Sequence, residues 1–514
     1  MFPISTKTDV FEKSKPVTVD DESEKFDFVE KCTSPPLGTE PETAIPAQPR
    51  NKKIRWNSFF GKFVLISYIV GLGNLVSFPA MFLNNGRLAF LIPISMAYFF
   101  IGIPVLLLEV IIGQFSSSSP YSIFGKVAPL LSSVGGTMTM VTYFPGPEGV
   151  LWSLVLLWTA VGVFVFFGIR IFASFGAIFT ILPFVIYITC FFFVITHENN
   201  FKHLSLLFGS DWAQLSNIKT WSDAVSYTLF SLSLCDGGVV NIASHNSFNN
   251  NLLLDLILAV LADIFMSFVL TATFVVSSAW IASHVSPFGD VLGTMSMLPS
   301  EAYQLFAFPE FASTRPGGVL FCVLFYFGIL LLGLPSMVIS TEMVFSVICD
   351  KFNFEKKWKK ILIFLLCGIL GSLSIFMTTP GGLYLMRIML DDSWTVLSII
   401  ALLEVSTFVF KYGVRNFSRD IESMLGYRSP IIRYAELVSW RFVTPTALVI
   451  AIGCRFYYTM NDVMILDYIV PLKMKVIGWS MSVTVILFVL AYFGIKILWL
   501  MSQGRSPIAS LGAH

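Results

Sequence analysis

From Phe59 to Leu500 the chain returns repeatedly to apolar runs of roughly 20 residues, each long enough to cross about 30 Å of hydrocarbon as a helix. No other feature restricts the fold as strongly. In lipid every backbone N–H and C=O must find a partner inside the protein, and for runs of this length that means helices rather than a barrel. The composition agrees, with 55% hydrophobic and 13% charged residues, far from the balance of a water-soluble domain. Hydropathy and helix breakers place about 12 spans, near residues 57–81, 88–114, 127–144, 150–169, 174–196, 222–247, 252–281, 316–349, 358–378, 382–411, 431–458 and 470–502. The third, PLLSSVGGTMTMVTYF, is short and rich in Gly, Ser and Thr, and it runs into the turn PGPEG. Either it is a full crossing or a block has been lost beside it, as in a splice variant.

The charges are segregated. Residues 1–49 carry the acidic cluster DDESEKFD and a Pro/Thr-rich stretch without an apolar run, which predicts a disordered cytosolic tail suited to docking a protein partner. No signal peptide is expected there. Residues 50–503 are expected to form the transmembrane domain and residues 504–514 a short cytosolic tail. Basic residues gather in RNKKIR, KFNFEKKWKK, KYGVRNFSRD and YRSPIIR. The positive-inside rule puts those segments and both termini in the cytosol, an arrangement that requires the third span to cross. The seven cysteines are scattered and indicate neither a zinc site nor a disulfide framework. GLGN lacks the third glycine of a dinucleotide fingerprint, and no phosphate loop, nucleophile elbow or H-E-x-x-H is found. The chain is therefore not expected to be an enzyme. Its expected partners are the bilayer and a small molecule, not nucleic acid.

Two spans interrupt themselves, the first with GLGN (Gly71 to Asn74) and the sixth with SLSLCDGGVV, which holds Asp236, Gly237 and Gly238. Glycine costs a helix interior about 1 kcal/mol, and each unpaired backbone group in lipid costs several kcal/mol. Paired breaks, one opening each half of the chain, point to an inverted-repeat transporter whose freed backbone groups bind ions and substrate at the bilayer midplane. Asp236 is a lone carboxylate at that depth. It pairs with a cationic group on the substrate, or it caps a half-helix amide or meets water.

YIVGLGNLVSFPA, NNGRLAFLIP, GIPVLLLEVIIGQ, WSDAVSYTLFSLS, IASHNSFNNN, TEMVFSVICDKF, PGGLYL, KYGVRNFSRDIESMLG and SWRFVTP follow one another across roughly residues 50–500. Together they resemble the neurotransmitter:sodium symporter family, solute carrier family 6. The resemblance implies an all-α polytopic membrane protein of the leucine-transporter type: two inverted five-helix repeats, helices 1 and 6 broken, and two further helices. It implies a plasma-membrane symporter that couples sodium to uptake of an amino acid or small amine by alternating access. The other reading is a transporter-like protein that no longer translocates and acts as scaffold, sensor or regulatory partner.

Carried over position by position, the resemblance gives a first sodium site of Ile69, Asn74, Ser231 and Asp263. A second uses Ser67, Val70, Leu332 and Ser336. Substrate contacts fall to Gly71, Phe230, Ser233 and Asp236, with Tyr143 from the third span. Chloride contacts fall to Ser231 and Ser267, and the inner gate to Arg55, Trp56 and Asp350. The departures are specific. Val76 and Ser77 replace the family's Trp-Arg, so the outer-gate arginine is missing and Asp391 and Asp392 lack their usual partner. Pro335 reduces the second sodium site to one hydroxyl plus backbone. Asp263 replaces a neutral asparagine, either strengthening the first site as a carboxylate or standing as a neutral buried acid. Ile94 and Tyr227 replace a tyrosine and a glutamine of the chloride site.

Overall fold

A computed structural model describes residues 58–117, 120, 151–197, 200–248, 250–285, 302–352, 356–377, 380–426, 430–460, 464–465, 468–469 and 472–502. The predicted tails, the third span with Tyr143, and the inner-gate residues Arg55 and Trp56 lie outside the described residues, as do the side chains of Asp391 and Asp392.

The first span is two helices, α1 (Ser58–Ile69) and α2 (Leu72–Asn84), bent by 45° at Val70 and Gly71. The second runs through a short 3-10 turn into α3 (Leu91–Ala97), a π turn (Tyr98–Gly102) and α4 (Ile103–Ser116). After α5 (Leu151–Phe167) and α6 (Ile169–Ile195) comes a segment of 3-10 turns, Asn200–Phe208 and Trp212–Ser216. The sixth span is α7 (Ile218–Ser231) and α8 (Gly238–Ala243), with six non-helical residues between them. The remaining helices are α9 (Leu252–Val285), α10 (Ala302–Ser313), α11 (Gly318–Phe352), α12 (Lys356–Met377), α13 (Pro380–Ser406), α14 (Val414–Leu425), α15 (Pro430–Val438), α16 (Thr444–Met460) and α17 (Leu472–Ser502). A two-stranded hairpin, Met464–Ile465 with Tyr468–Ile469, precedes α17.

Among the described residues seven helices are long and apolar enough to cross a bilayer, eight if α1 and α2 count as one bent span. Helices also stand at the predicted fourth, sixth and twelfth spans. The outward faces are apolar: Val319 is 74% exposed and Phe99 67%, exposure that a bilayer covers and water would penalise. The chain is an all-α polytopic membrane protein.

Around the breaks, α1 packs on α6 and α9, α2 on α9, α7 on α3 and α16, and α8 on α4. The π turn in the second span shifts the helical register by one residue, a device common at functional sites. It presents the Phe100 carbonyl to the Thr444 hydroxyl at 2.7 Å. It also sets the Tyr98 side chain toward α9, where its hydroxyl donates to the Asp263 carboxylate.

Candidate functional site: the junction of two broken helices

At the first break, Gly71 is extended and α2 begins at Leu72. The freed Gly71 N–H donates to the Asn74 side-chain oxygen at 3.0 Å, so Asn74 performs the backward half of a capping box. Gly73, predicted to help the chain unwind, instead lies inside α2. A Cβ at Gly73 would stand 2.7 Å from the Phe230 ring, so this glycine allows close approach of that ring and does not make the break.

The sixth break is longer and is satisfied differently. Ser233, Cys235 and Gly237 adopt left-handed backbone angles, φ 49°, 65° and 84°, a conformation uncommon outside glycine. The Cys235 N–H donates to Glu109 of α4 at 2.6 Å. One Asp236 oxygen accepts from Gly238 N–H at 2.9 Å, placing negative charge at the start of α8. The other accepts from the Tyr68 hydroxyl of α1. The structure thus places Asp236 in the capping arrangement. Ser233 donates to the Tyr68 carbonyl at 3.3 Å. The two breaks are therefore tied directly to each other. Tyr68 fills the space over Gly238 so tightly that a Cβ there would lie 2.0 Å from its hydroxyl.

Asn74, Ser231, Asp263 and Ser267 come together, fully buried, where α2, α7 and α9 meet. The Asp263 carboxylate accepts from Asn74 Nδ2 and from the Tyr98 hydroxyl, and from the Ser231 hydroxyl at 2.8 Å. Asn74 Nδ2 also donates to Ser267 at 2.8 Å, and Tyr227 contacts Ser267 at 3.1 Å and Ser231 at 3.0 Å. A carboxylate accepts and cannot donate, so it draws the NH2 side of the amide toward itself. The predicted liganding oxygen of Asn74 is thereby turned away, toward Gly71. Tyr98, one helical turn beyond Ile94, supplies the second-span hydroxyl that sequence position alone assigned to Ile94. The i+4 spacing on one helix face is the signal that could have found it.

The remaining predicted positions divide. Ser336 of α11 stands 3.4 Å from where a Gly71 Cβ would be, and Ser67, Val70, Ile69 and Leu332 are buried at or near this contact. Pro335, having no N–H, deprives the Leu331 carbonyl of its i+4 donor, one residue before the predicted Leu332. Asp350 is exposed near the end of α11. Phe230 packs at 6.2 Å from Trp394 of α13. Over that tryptophan lies Arg455 of α16, 5.5 Å from the ring centre and 3.9 Å from Asp223, whose other oxygen accepts from Asn85 at 3.4 Å. This outer cation was not anticipated, because α16 lies far along the chain from the vacated Ser77 position.

Long apolar helices, two of them broken against each other over a buried polar junction, define a polytopic membrane protein with interrupted spans. The sequence model of the Sodium:neurotransmitter symporter family matches residues 55–147 and 147–500, and the chain belongs to that family. It is similar to the mouse "Sodium- and chloride-dependent neutral and basic amino acid transporter B(0+)", 25% identical over 75% of this chain and 76% of the relative. The "Sodium- and chloride-dependent glycine transporter 2" of Xenopus laevis is 24% identical, over 84% and 68%. The "Sodium-dependent nutrient amino acid transporter 1" of Drosophila persimilis is 24% identical, over 92% and 86%.

Proposed function

We propose that the chain is a sodium-coupled symporter for a neutral amino acid at the plasma membrane, working by alternating access around the two breaks. The observation that carries this reading is the buried junction of Asn74, Ser231, Asp263 and Ser267, where three spans converge on one carboxylate. A sodium ion needs several oxygens at little cost in buried charge. It would enter by displacing the Asn74 NH2 from Asp263. The amide then turns its oxygen to the ion and releases the Gly71 N–H, so that ion binding and the shape of the first break become one event. The Ile69 carbonyl completes this site, while Ser67, Val70, Leu332 and Ser336 form a weaker second one.

An amino acid is favoured as substrate by the relatives' names and by Gly71, the residue type that the resemblance associates with family members that move amino acids. A neutral one is favoured because both Asp236 oxygens are engaged within the protein. Ser233 lies beside it, and Tyr143 remains the third-span candidate. The Asp263 carboxylate, accepting from the hydroxyls of Ser231 and Tyr98, takes the place an anion would occupy, so the reading includes transport with little need of chloride. Uptake of a radiolabelled amino-acid panel, with sodium replaced by choline and chloride by gluconate, tests both parts. Sodium-dependent, chloride-insensitive uptake is the expected result.

The tied-up state of Asn74 and the Ser77 and Pro335 substitutions favour one competing reading, a non-translocating scaffold whose N-terminal tail docks a cytosolic protein. Complete silence across the panel, with surface delivery confirmed, selects it.

A further inference from the structure

Between α5 and α12 lies an apolar groove of about 580 Å³, the size of a site for a small organic ligand. None of its lining residues belongs to the junction or to either break. Trp158, Gly162 and Phe166 form one wall, and Phe364, Gly368 and Gly371 the other. The three glycines differ in what they do. A Cβ at Gly162 would touch Cys367 Sγ at 3.6 Å and one at Gly371 the Trp158 ring at 3.4 Å, whereas one at Gly368 would meet nothing within 4 Å. Two of them let the helices approach, and Gly368 leaves the space between them open. Trp158 Nε1 donates to Ser374 Oγ at 3.2 Å and pins one end. At the other end Phe166 meets Phe364 at 5.8 Å, and Lys360 Nζ lies 5.3 Å from the centre of the Phe166 ring. The lining from Phe364 to Ile375 covers about 16 Å of helix, the depth of one leaflet.

The charges continue the same helix face. Lys357 and Lys360 stand one turn apart and in line with Phe364. Both are exposed, as is Arg170 at the start of α6. Among the described residues no carboxylate pairs with any of these three. We propose that the groove binds an anionic phospholipid of the cytosolic leaflet, with an acyl chain between α5 and α12 and the headgroup phosphate held by Lys357 and Lys360. The positive-inside rule puts KKWKK on the cytosolic face, where anionic lipids concentrate and basic pockets between spans hold their headgroups. Charge decides the class. A sterol or phosphatidylcholine would satisfy the apolar walls and leave two lysines unused, whereas phosphatidylserine or a phosphoinositide engages both. Sequence analysis used these lysines for topology alone, because the groove they serve needs α5 beside them. The inference does not depend on whether the chain transports.

The test places the full chain in phosphatidylcholine nanodiscs doped with phosphatidylserine or phosphatidylcholine brominated on the acyl chain. Bromine quenches tryptophan on contact, and subtracting the signal of Trp158→Phe isolates Trp158. The expected association constant for phosphatidylserine is about tenfold above that for phosphatidylcholine, falling to parity in the Lys357→Gln/Lys360→Gln double variant and in high salt. Gly368→Leu, whose side chain enters the open space, should abolish the preference with both lysines in place. Thermal unfolding in phosphatidylcholine alone checks that each variant is folded; should Gly368→Leu not fold, Val163→Phe fills the groove from the other wall. Equal association of the two lipids in the parent chain, or a preference that survives either the double lysine variant or the groove-filling one, overturns the proposal. So does displacement of the brominated lipid by cholesterol but not by unbrominated phosphatidylserine, which assigns the groove to a sterol. Absence of any Trp158 quenching, the result if a second copy of the chain covers the groove, overturns it as well.

Discussion

The two breaks do the same job by different means. The first is a bend at two residues, repaired by the Asn74 side chain three residues on in its own helix. The sixth is six residues long, holds two non-glycine residues in the left-handed region, and draws on carboxylates from its own chain segment and from α4. A short break can be repaired locally. A long one needs donors and acceptors from neighbouring spans, so its shape is a property of the bundle rather than of the segment.

The largest expected effect separates the breaks by alanine substitution. Gly238→Ala puts a Cβ into the Tyr68 ring and should cost about 3 kcal/mol, seen as lost thermal stability and surface delivery, with partial recovery on adding Tyr68→Ala. Gly71→Ala meets Ser336 and the Tyr68 and Ile69 carbonyls at ordinary contact distances and should shift stability by less than about 1 kcal/mol. Equal damage from both would end the distinction.

Next, Asp263→Asn removes the carboxylate that organises the junction. Sodium affinity for uptake should fall at least tenfold, about 1.4 kcal/mol, and chloride should begin to stimulate transport; unchanged sodium dependence would remove Asp263 from the ion site. Of similar size is Glu109→Leu, which leaves the buried Cys235 N–H unpaired at about 1–3 kcal/mol. Glu109→Gln keeps an acceptor and should cost less, a difference readable in thermal unfolding. The smallest effect lies outside both breaks and serves as a control. Burial, with Lys202 and His284 nearby, holds the half-buried His203 imidazole below its usual value near 6.5. The unfolded chain then takes up the proton first. The Asn200–Phe208 turn should be fully stable above about that pH and open slightly more readily as the pH falls below it, which amide exchange can follow, with no change at either break.

Much of this was legible in the sequence, because bilayer thickness imposes a length on every apolar run and because glycine and a lone carboxylate at depth mark a break. Asn74, Ser231 and Asp263, expected in a sodium site, and Ser267, expected with Ser231 in a chloride site, lie together in the structure. What could not be read was orientation. Which end of the Asn74 amide faces Asp263 depends on a carboxylate from another span, and Gly73 looked like a breaker because its actual neighbour, Phe230, is distant in sequence. Tyr68 and Glu109 act on the sixth break, and Tyr98 on the junction, from elsewhere in the bundle, and one-dimensional spacing does not carry that information.

The position of Arg455 has a mechanical consequence. A gate charge on the first span would part from its acid as the first and tenth spans separate. Arg455 instead fastens the eleventh span to Asp223 at the head of the sixth while resting on Trp394, beside Phe230. Opening toward the outside by swinging α7 away from α16 must therefore break an ion pair and uncover an aromatic face together.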